Sequence, residues 1–431
     1  MLEKFTAFIE NHLAGPMETL GNQRHLRAIR DGIVATLPLI VVSSFFMIVA
    51  FPPIPQSWGL YKFLSENAAT ILLPYRMTMY IMSLYAAFGI GHSLAKSYHL
   101  DTLSGGILAA TAFLLTFTPV NIAPDLAEKA GVAGFVLPMG NLGGGGMFVA
   151  IITSIIAVEI YRLTDRSKFK ITMPEQVPPA VARSFEALTP TLIIILGMGC
   201  ITYWLKFSWH TAIATVVGPL VNAADSLPSV WLLVFLTEFF WSFGIHGASI
   251  VGSIARPIWL QLLEGNTTAL ANHQALPNIA AEPFYQWFIY IGGSGASLGL
   301  AILLAFKVKS QYASKLGKTA LAPAIFNINE PSVFGTPIVL NPILIPPFII
   351  APLVNGTIAW IVTSLGLVNK VTVTAPWTLP GPIGAFLATG GDWRAIVLNV
   401  CLIILSVIIY YPFVMVYDKN ELEKEQGLVK E

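Results

Sequence analysis

Nine stretches of this chain, residues 31–51, 73–95, 102–119, 144–162, 188–206, 228–246, 283–306, 345–366 and 395–417, are each long, apolar and poor in charge. A helix needs about 20 mostly apolar residues to cross a bilayer. Only 11% of the 431 residues are charged, where a soluble domain carries about 25%, and the mean hydropathy is +0.71. The pattern predicts an all-α polytopic membrane protein of about ten transmembrane helices. The tenth and weakest stretch, residues 208–223, could either span or lie along the interface.

Charge placement sets the orientation, because cytoplasmic loops are enriched in Lys and Arg. RHLRAIR at 24–30, YRLTDRSKFK at 161–170 and KVKSQYASKLGK at 307–318 are the basic segments, the last with four lysines and no acid. With the N-terminus inside and all ten stretches crossing, each of these loops falls inside, and so does the C-terminus. The net charge of +1 and the lack of a basic stripe with interleaved aromatics exclude a nucleic-acid partner. Cys200 and Cys401 lie in apolar runs about 200 residues apart, with no metal-ligand or disulfide spacing. The first thirty residues, with Glu3, Lys4, Glu10, Arg24, Arg27 and Arg30, do not form a secretory signal.

The clearest boundary is MPEQVPPAVARSFEALTPT, residues 173–191, where Val181, Phe185 and Leu188 share one face and Arg183 and Glu186 lie off it. This reads as an amphipathic linker helix at the membrane surface. The expected organisation is a cytoplasmic segment at 1–30, an N-terminal bundle with its linker at 31–225, a C-terminal bundle at 226–417 and a cytoplasmic tail at 418–431.

Two apolar stretches resist a helical reading. Residues 320–344 contain Pro323, Pro331, Pro337, Pro342 and Gly335, and proline removes an amide donor and disfavours helix in the residue before it. Irregular backbone at membrane depth is tolerated where protein buries it or where it lines a cavity. A re-entrant hairpin with its tip at INEP meets that condition and points Asn327, Asn329 and Glu330 into a cavity. TAPWTLPGPIGAFLATGGDW, residues 374–393, is a second broken stretch that could line the same cavity with Trp377.

A third constellation, LTEFFWSFGIHGAS at 236–249, sets His246 between glycines, with Gly247 permitting close approach of a ligand or backbone. Glu238 lies two turns up and about 80° round if one helix continues. It could share a polar face with His246 or face elsewhere. Ionisable groups inside a membrane mark functional sites by default, although Glu330 could instead cap its own hairpin, His246 could be a satisfied core residue and Glu238 could bond a neighbouring helix. Arg76 is most simply a snorkelling side chain. MGNLGGGGMF at 139–148 does not fit a Walker loop, and no zinc, Ser-His-Asp or dinucleotide signature is present, so no metal or cofactor is expected.

NINEPSVFGTPIVLNP, WSFGIHG, PEQVPPAVARSFEALTP and APWTLPGPIGA resemble the enzyme IIC subunits of the bacterial phosphoenolpyruvate-dependent sugar phosphotransferase system, in the lactose, cellobiose and N,N′-diacetylchitobiose branch. The likeness extends from about residue 5 to about residue 417. It implies a homodimer in the bacterial cytoplasmic membrane, with dimer contacts in the N-terminal bundle and re-entrant hairpins holding the sugar in the C-terminal one. It also implies elevator-like movement of the sugar site and phosphorylation by a cytoplasmic enzyme IIB carrying a phosphocysteine, charged in turn by enzyme IIA. By motif, Glu330 and His246 fall on the family's sugar-contacting acid and histidine. Asn329 and Trp377 follow as further sugar contacts, and the residue pattern itself adds Asn327, Gly247 and Glu238 as candidates. Neither Cys200 nor Cys401 has the context of a phosphorylated cysteine, so the phosphoryl donor is expected to be a separate protein docking at the basic inner face.

Overall fold

The computed structural model describes residues 23–426 apart from residues 53, 56, 124–130, 132, 133, 175 and 337 and the side chains of 179–181. The described chain is mostly helical. Its strands form one short antiparallel ribbon, β1 (Val120–Ile122) paired with β2 (Gly134–Val136) in the register Val120 to Val136.

One compact unit contains Asn22–Ser43 and Leu73–Val221. Its helices include α1 (Arg24–Val34), the start of α2 (Leu37–Ala50), α3 (Met82–Ser97), α4 (Thr102–Leu114), α5 (Met147–Asp165), α6 (Pro179–Glu186), α7 (Leu188–Gly199) and most of α8 (Trp209–Ala224). Between apolar helices in lipid the hydrophobic effect gives little drive, and small residues that let backbones touch take its place. A Cβ added at Gly32 would lie 2.4 Å from the Ile90 amide nitrogen, and one at Gly91 would lie 2.4 Å from the Ala109 Cβ. Gly89 and Gly105 face the same close approaches of α1, α3 and α4. The glycine run at 143–146 is likewise a packing device, since a Cβ at Gly146 would overlap the Asn141 carbonyl. The amphipathic helix expected at 173–191 is shorter, ending at Glu186 before α7 begins at Leu188.

The second unit contains Ser44–Leu72 together with the chain from Asn222 onward. Residues 44–72, grouped by sequence with the first bundle, therefore pack with the C-terminal half. This unit holds α9 (Leu227–Ser242), α10 (Gly247–Ala271), α11 (Glu282–Phe288), α12 (Leu298–Phe306), α13 (Gln311–Ile325), α14 (Glu330–Gly335), α15 (Ile345–Ser364), α16 (Gly381–Ala388) and α17 (Trp393–Glu425). Its core gathers Trp241, Leu300, Leu304, Phe348, Tyr410 and Val414, all buried.

Further elements differ from expectation: the stretch 73–95 is broken into Leu73–Arg76, Met79–Ile81 and the helix from Met82. Residues 283–306 are not one spanning helix: α11 stops at Phe288, and Gly292, Gly293, Gly295 and Ala296 all take positive φ before α12 starts. The 25-residue α10 was not anticipated, because Arg256, Gln261, Glu264 and Asn266 interrupt its apolar pattern. Arg256 is paired with Glu282 at 2.9 Å. Among the described residues, five helices are long and apolar enough to cross a membrane, or up to six if α8 and α9 count as one broken span.

The longest helix, α17, is started by Asp392, whose carboxylate accepts the amides of Arg394 at 3.0 Å and Asn369 at 2.8 Å and the Arg394 Nε at 2.8 Å. Burial pushes this carboxyl up, but those hydrogen bonds and the Arg394 charge outweigh it and hold it below the usual aspartate value. A depressed folded-state pKa gives stability that is complete above the unfolded value and is lost as pH falls through the folded one. Asp392→Ala is expected to cost about 1–2 kcal/mol at neutral pH. The deficit should shrink as pH falls from the unfolded aspartate value through the depressed folded one and then level off, which thermal unfolding in detergent across a pH series will read.

Candidate functional site

The INEP segment is the turn of a hairpin. Helix α13 runs through Pro323 and stops where Asn327 takes φ 60°, a left-handed conformation that asparagine tolerates. Helix α14 then starts at Glu330 and returns alongside: the Tyr312 hydroxyl, near the start of α13, donates to the carbonyl of Gly335 at the end of α14 at 2.8 Å. Antiparallel arms follow from that bond.

Asn327 and Asn329 are buried and work as staples. Asn327 Oδ1 accepts the Gly292 amide at 2.9 Å, and its Nδ2 donates to the carbonyls of Trp377 at 2.8 Å and Leu379 at 3.0 Å. Asn329 Nδ2 donates to the Ser294 carbonyl at 3.3 Å. Three broken stretches, around residues 292–296, 327–329 and 377–380, are thus fastened together. This supplies the partners that helix would otherwise provide to their backbones.

Glu330 is different. It is exposed and its carboxylate makes no hydrogen bond or ion pair among the described residues, so it does not cap its own hairpin. Trp377 is 52% exposed, its backbone tied to Asn327 while its ring stands out. An uncommitted carboxylate and an open indole on fastened backbone suit a ligand that offers hydroxyls and a ring face.

His246 is the N-cap of α10 rather than a member of the helix that carries Glu238, because α9 ends at Ser242 and Gly244 takes φ +76°. The one-helix geometry relating the two residues is therefore replaced. His246 Nδ1 accepts the Ser249 amide at 3.2 Å, so a neutral ring carries its proton on Nε2. The ring packs on Trp241 at 4.5 Å between centroids, and Trp241 meets Phe334 of α14 edge-on at 6.1 Å. An aromatic ladder thus leads from His246 to the short helix that begins with Glu330. The hairpin is also pinned to the end of α9 by the Leu340 amide, which donates to the Ser242 carbonyl at 2.9 Å.

Gly247 is buried, and a Cβ there would sit 1.9 Å from the Thr237 carbonyl oxygen, so close packing of α10 on α9 accounts for it. Glu238 is fully buried; its Oε1 accepts the Gly295 amide at 2.9 Å. It faces the glycine-rich break and not the exposed surface around His246. That break was missed by sequence reasoning, although Gly-Gly-Ser-Gly at 292–295 was a visible signal. Among the described residues no group of three or more His, Cys, Asp and Glu side chains could hold a metal ion.

A family model described as "Phosphotransferase system, EIIC" matches residues 30–352, well over half of the chain. The chain belongs to the EIIC family of the phosphotransferase system. The lichenan permease IIC component of Bacillus subtilis (strain 168) is 38% identical over 440 residues, covering 99% of this chain and 96% of that protein. The cellobiose-specific EIIC component of Geobacillus stearothermophilus is 38% identical over 438 residues, covering 99% and 97%. The crystal structure of the transporter ChbC, the IIC component from the N,N′-diacetylchitobiose-specific phosphotransferase system, superimposes with a TM-score of 0.89 at 35% identity, covering 97% of this chain and 99% of that one. Membership makes this EIIC chain a multi-pass membrane permease of a sugar phosphotransferase system.

Structural and exposed residues of the site should separate cleanly in experiment. Asn327→Ala leaves the Gly292 amide and two carbonyls without their partner and is expected to cost about 2–4 kcal/mol. Trp377→Ala, at an exposed side chain, should stay within about 0.5 kcal/mol of wild type. Thermal unfolding of the purified proteins in detergent reads both.

Proposed function

We propose that this EIIC chain binds an external β-linked disaccharide, of the cellobiose or N,N′-diacetylchitobiose type, and carries it inward for phosphorylation at its 6-hydroxyl by phospho-enzyme IIB. The observation that carries the reading is the Glu330 carboxylate, exposed and uncommitted at the head of a hairpin in which Asn327 is engaged with backbone through both its oxygen and its nitrogen. The names of the relatives supply the sugar class. In the proposed reaction the 6-hydroxyl oxygen attacks the phosphorus of the phosphocysteine, its proton passes to Glu330 or His246, and the S–P bond breaks to leave the IIB thiolate. Phosphoryl transfer depends mostly on positioning, and a carboxylate with no internal partner is available to orient the hydroxyl.

Asn329 and Trp377 would complete the sugar contacts, the indole covering a ring face. The sugar is released inward by an elevator-like displacement of the C-terminal bundle, residues 226–417 with the 44–72 segment that packs with it, while the rest of residues 31–225 form the scaffold and the contact between two copies. Both termini face the cytoplasm of a bacterium in this arrangement. Lys307, Lys309, Lys315 and Lys318 are exposed and lie on the segment leading into the hairpin, where they would attract an acidic face of IIB.

Binding of a panel of labelled disaccharides to the purified protein tests the proposal. One β-linked disaccharide should bind saturably, and Glu330→Gln should weaken it about tenfold or more, the effect of losing a hydrogen bond to a charged group. Wild-type affinity and wild-type phosphorylation in Glu330→Gln would remove Glu330 from the role. Replacing the four lysines with alanine together should lower the rate of phosphorylation by IIB several-fold and flatten its salt dependence, on the order expected for steering charges, with sugar affinity unchanged. An unaltered rate would place the docking surface elsewhere.

A further inference from the structure

We infer that Glu238 is a positioning residue: its carboxyl holds the glycine-rich break at Gly292–Ser297, and through that break it fixes the hairpin that carries Asn327, Asn329 and Glu330. The inference rests on the sugar site proposed above for its functional consequence, but its geometry stands apart from any ligand.

Residues Gly292–Ser297 connect α11 to α12 in the middle of an apolar stretch. Backbone φ is +84° at Gly292, +98° at Gly293, +78° at Gly295 and +51° at Ala296. Glycine takes such values freely, whereas at Ala296 the left-handed backbone persists only where its surroundings over-determine it. One side of the break is gripped by the helical core. Glu238 Oε1 on α9 accepts the Gly295 amide at 2.9 Å, and the Tyr410 hydroxyl on α17 donates to the Gly295 carbonyl at 2.7 Å, so both polar backbone groups of one residue are held by buried side chains. Phe348 of α15 packs against the same residue, where a Cβ would come within 2.1 Å of its ring.

The other side of the break carries the hairpin. Asn327 Oδ1 takes the Gly292 amide and Asn329 Nδ2 gives to the Ser294 carbonyl, and a Cβ on Gly293 would approach that of Asn329 to 2.6 Å. The break is therefore held at Gly295 by Glu238 and Tyr410 and at Gly292 and Ser294 by the two asparagines. Glu330 follows Asn329 directly in the chain.

Two other roles for Glu238 fit less well. Direct contact with a sugar is incompatible with its complete burial. A helix-to-helix hydrogen bond is not what is observed, because its partner is the backbone of the break. Its second oxygen, Oε2, makes no hydrogen bond among the described residues. Glutamine at this position would keep the acceptor that matters.

Two readouts on the full-length protein in detergent test the inference. In a Cys200→Ser, Cys401→Ser background, a nitroxide spin label attached through Glu330→Cys reports hairpin mobility without any sugar. Glu238→Ala and Tyr410→Phe are expected to increase that mobility, and Glu238→Gln to leave it unchanged. In the cysteine-replete protein, equilibrium binding of the disaccharide should weaken about tenfold in Glu238→Ala, the loss expected when a buried amide loses its partner, and stay within about threefold of wild type in Glu238→Gln. Combining Glu238→Ala with Asn327→Ala should weaken binding by much less than the product of the two single effects, since both loosen one segment; independent structural defects multiply instead.

An unchanged label in both Glu238→Ala and Tyr410→Phe, damage in Glu238→Gln equal to that in Glu238→Ala, or multiplicative single effects would each overturn the inference. Should Glu238→Ala not fold, the Tyr410→Phe and Glu238→Gln proteins decide the matter by the same criteria. A wild-type protein that binds no disaccharide would refute the proposed function, whereas label mobility would still decide the role of Glu238.

Discussion

A backbone that leaves helix inside an apolar region must find partners for its amides and carbonyls, because no water is there to supply them. The C-terminal unit meets this demand with a small set of buried polar side chains. Asn266 bonds the carbonyls of Asn278 and Val371 at 2.8 Å each, Asn399 bonds the Trp287 carbonyl at 2.6 Å, and Asp225 accepts the amides of Ile279 and Ala280. Asn327 and Glu238 belong to the same system. Where a polar side chain is used up in this way it is structural. That contrast singles out Glu330, whose carboxylate makes no such bond.

The hairpin was legible because its signals are local and strong. Pro331 and the Asn-Ile-Asn-Glu sequence before it mark the break, although the helix passes through Pro323, and the positive φ of Asn327 is a conformation asparagine accepts. His246 was legible as a special residue, but its relation to Glu238 was not, because one turn at Gly244 ends the helix that would have linked them. The break at 292–296 was hidden for a different reason. Its flanks are so apolar that a window about 20 residues long averages over four small residues, and the glycine run registers only when read residue by residue.

Helix α10 was hidden by the opposite effect. Its polar residues lower the apparent hydropathy, yet Arg256 is neutralised by Glu282 and Asn266 is consumed by backbone carbonyls. Those pairings are tertiary and no sequence window contains them. Likewise, the docking of residues 44–72 with the C-terminal half depends on contacts between segments more than 150 residues apart.

The glycine contacts among α1, α3 and α4 carry a mechanical consequence. At Gly32, Gly89, Gly91 and Gly105 the helices meet mostly through backbone and Cβ atoms, so there is little compliant side-chain layer that could shear by changing rotamers. Sliding one helix past another by even a residue would drive a neighbouring Cβ into backbone. That seam behaves as a weld, and any motion required of this bundle must be taken up at its loops and ends.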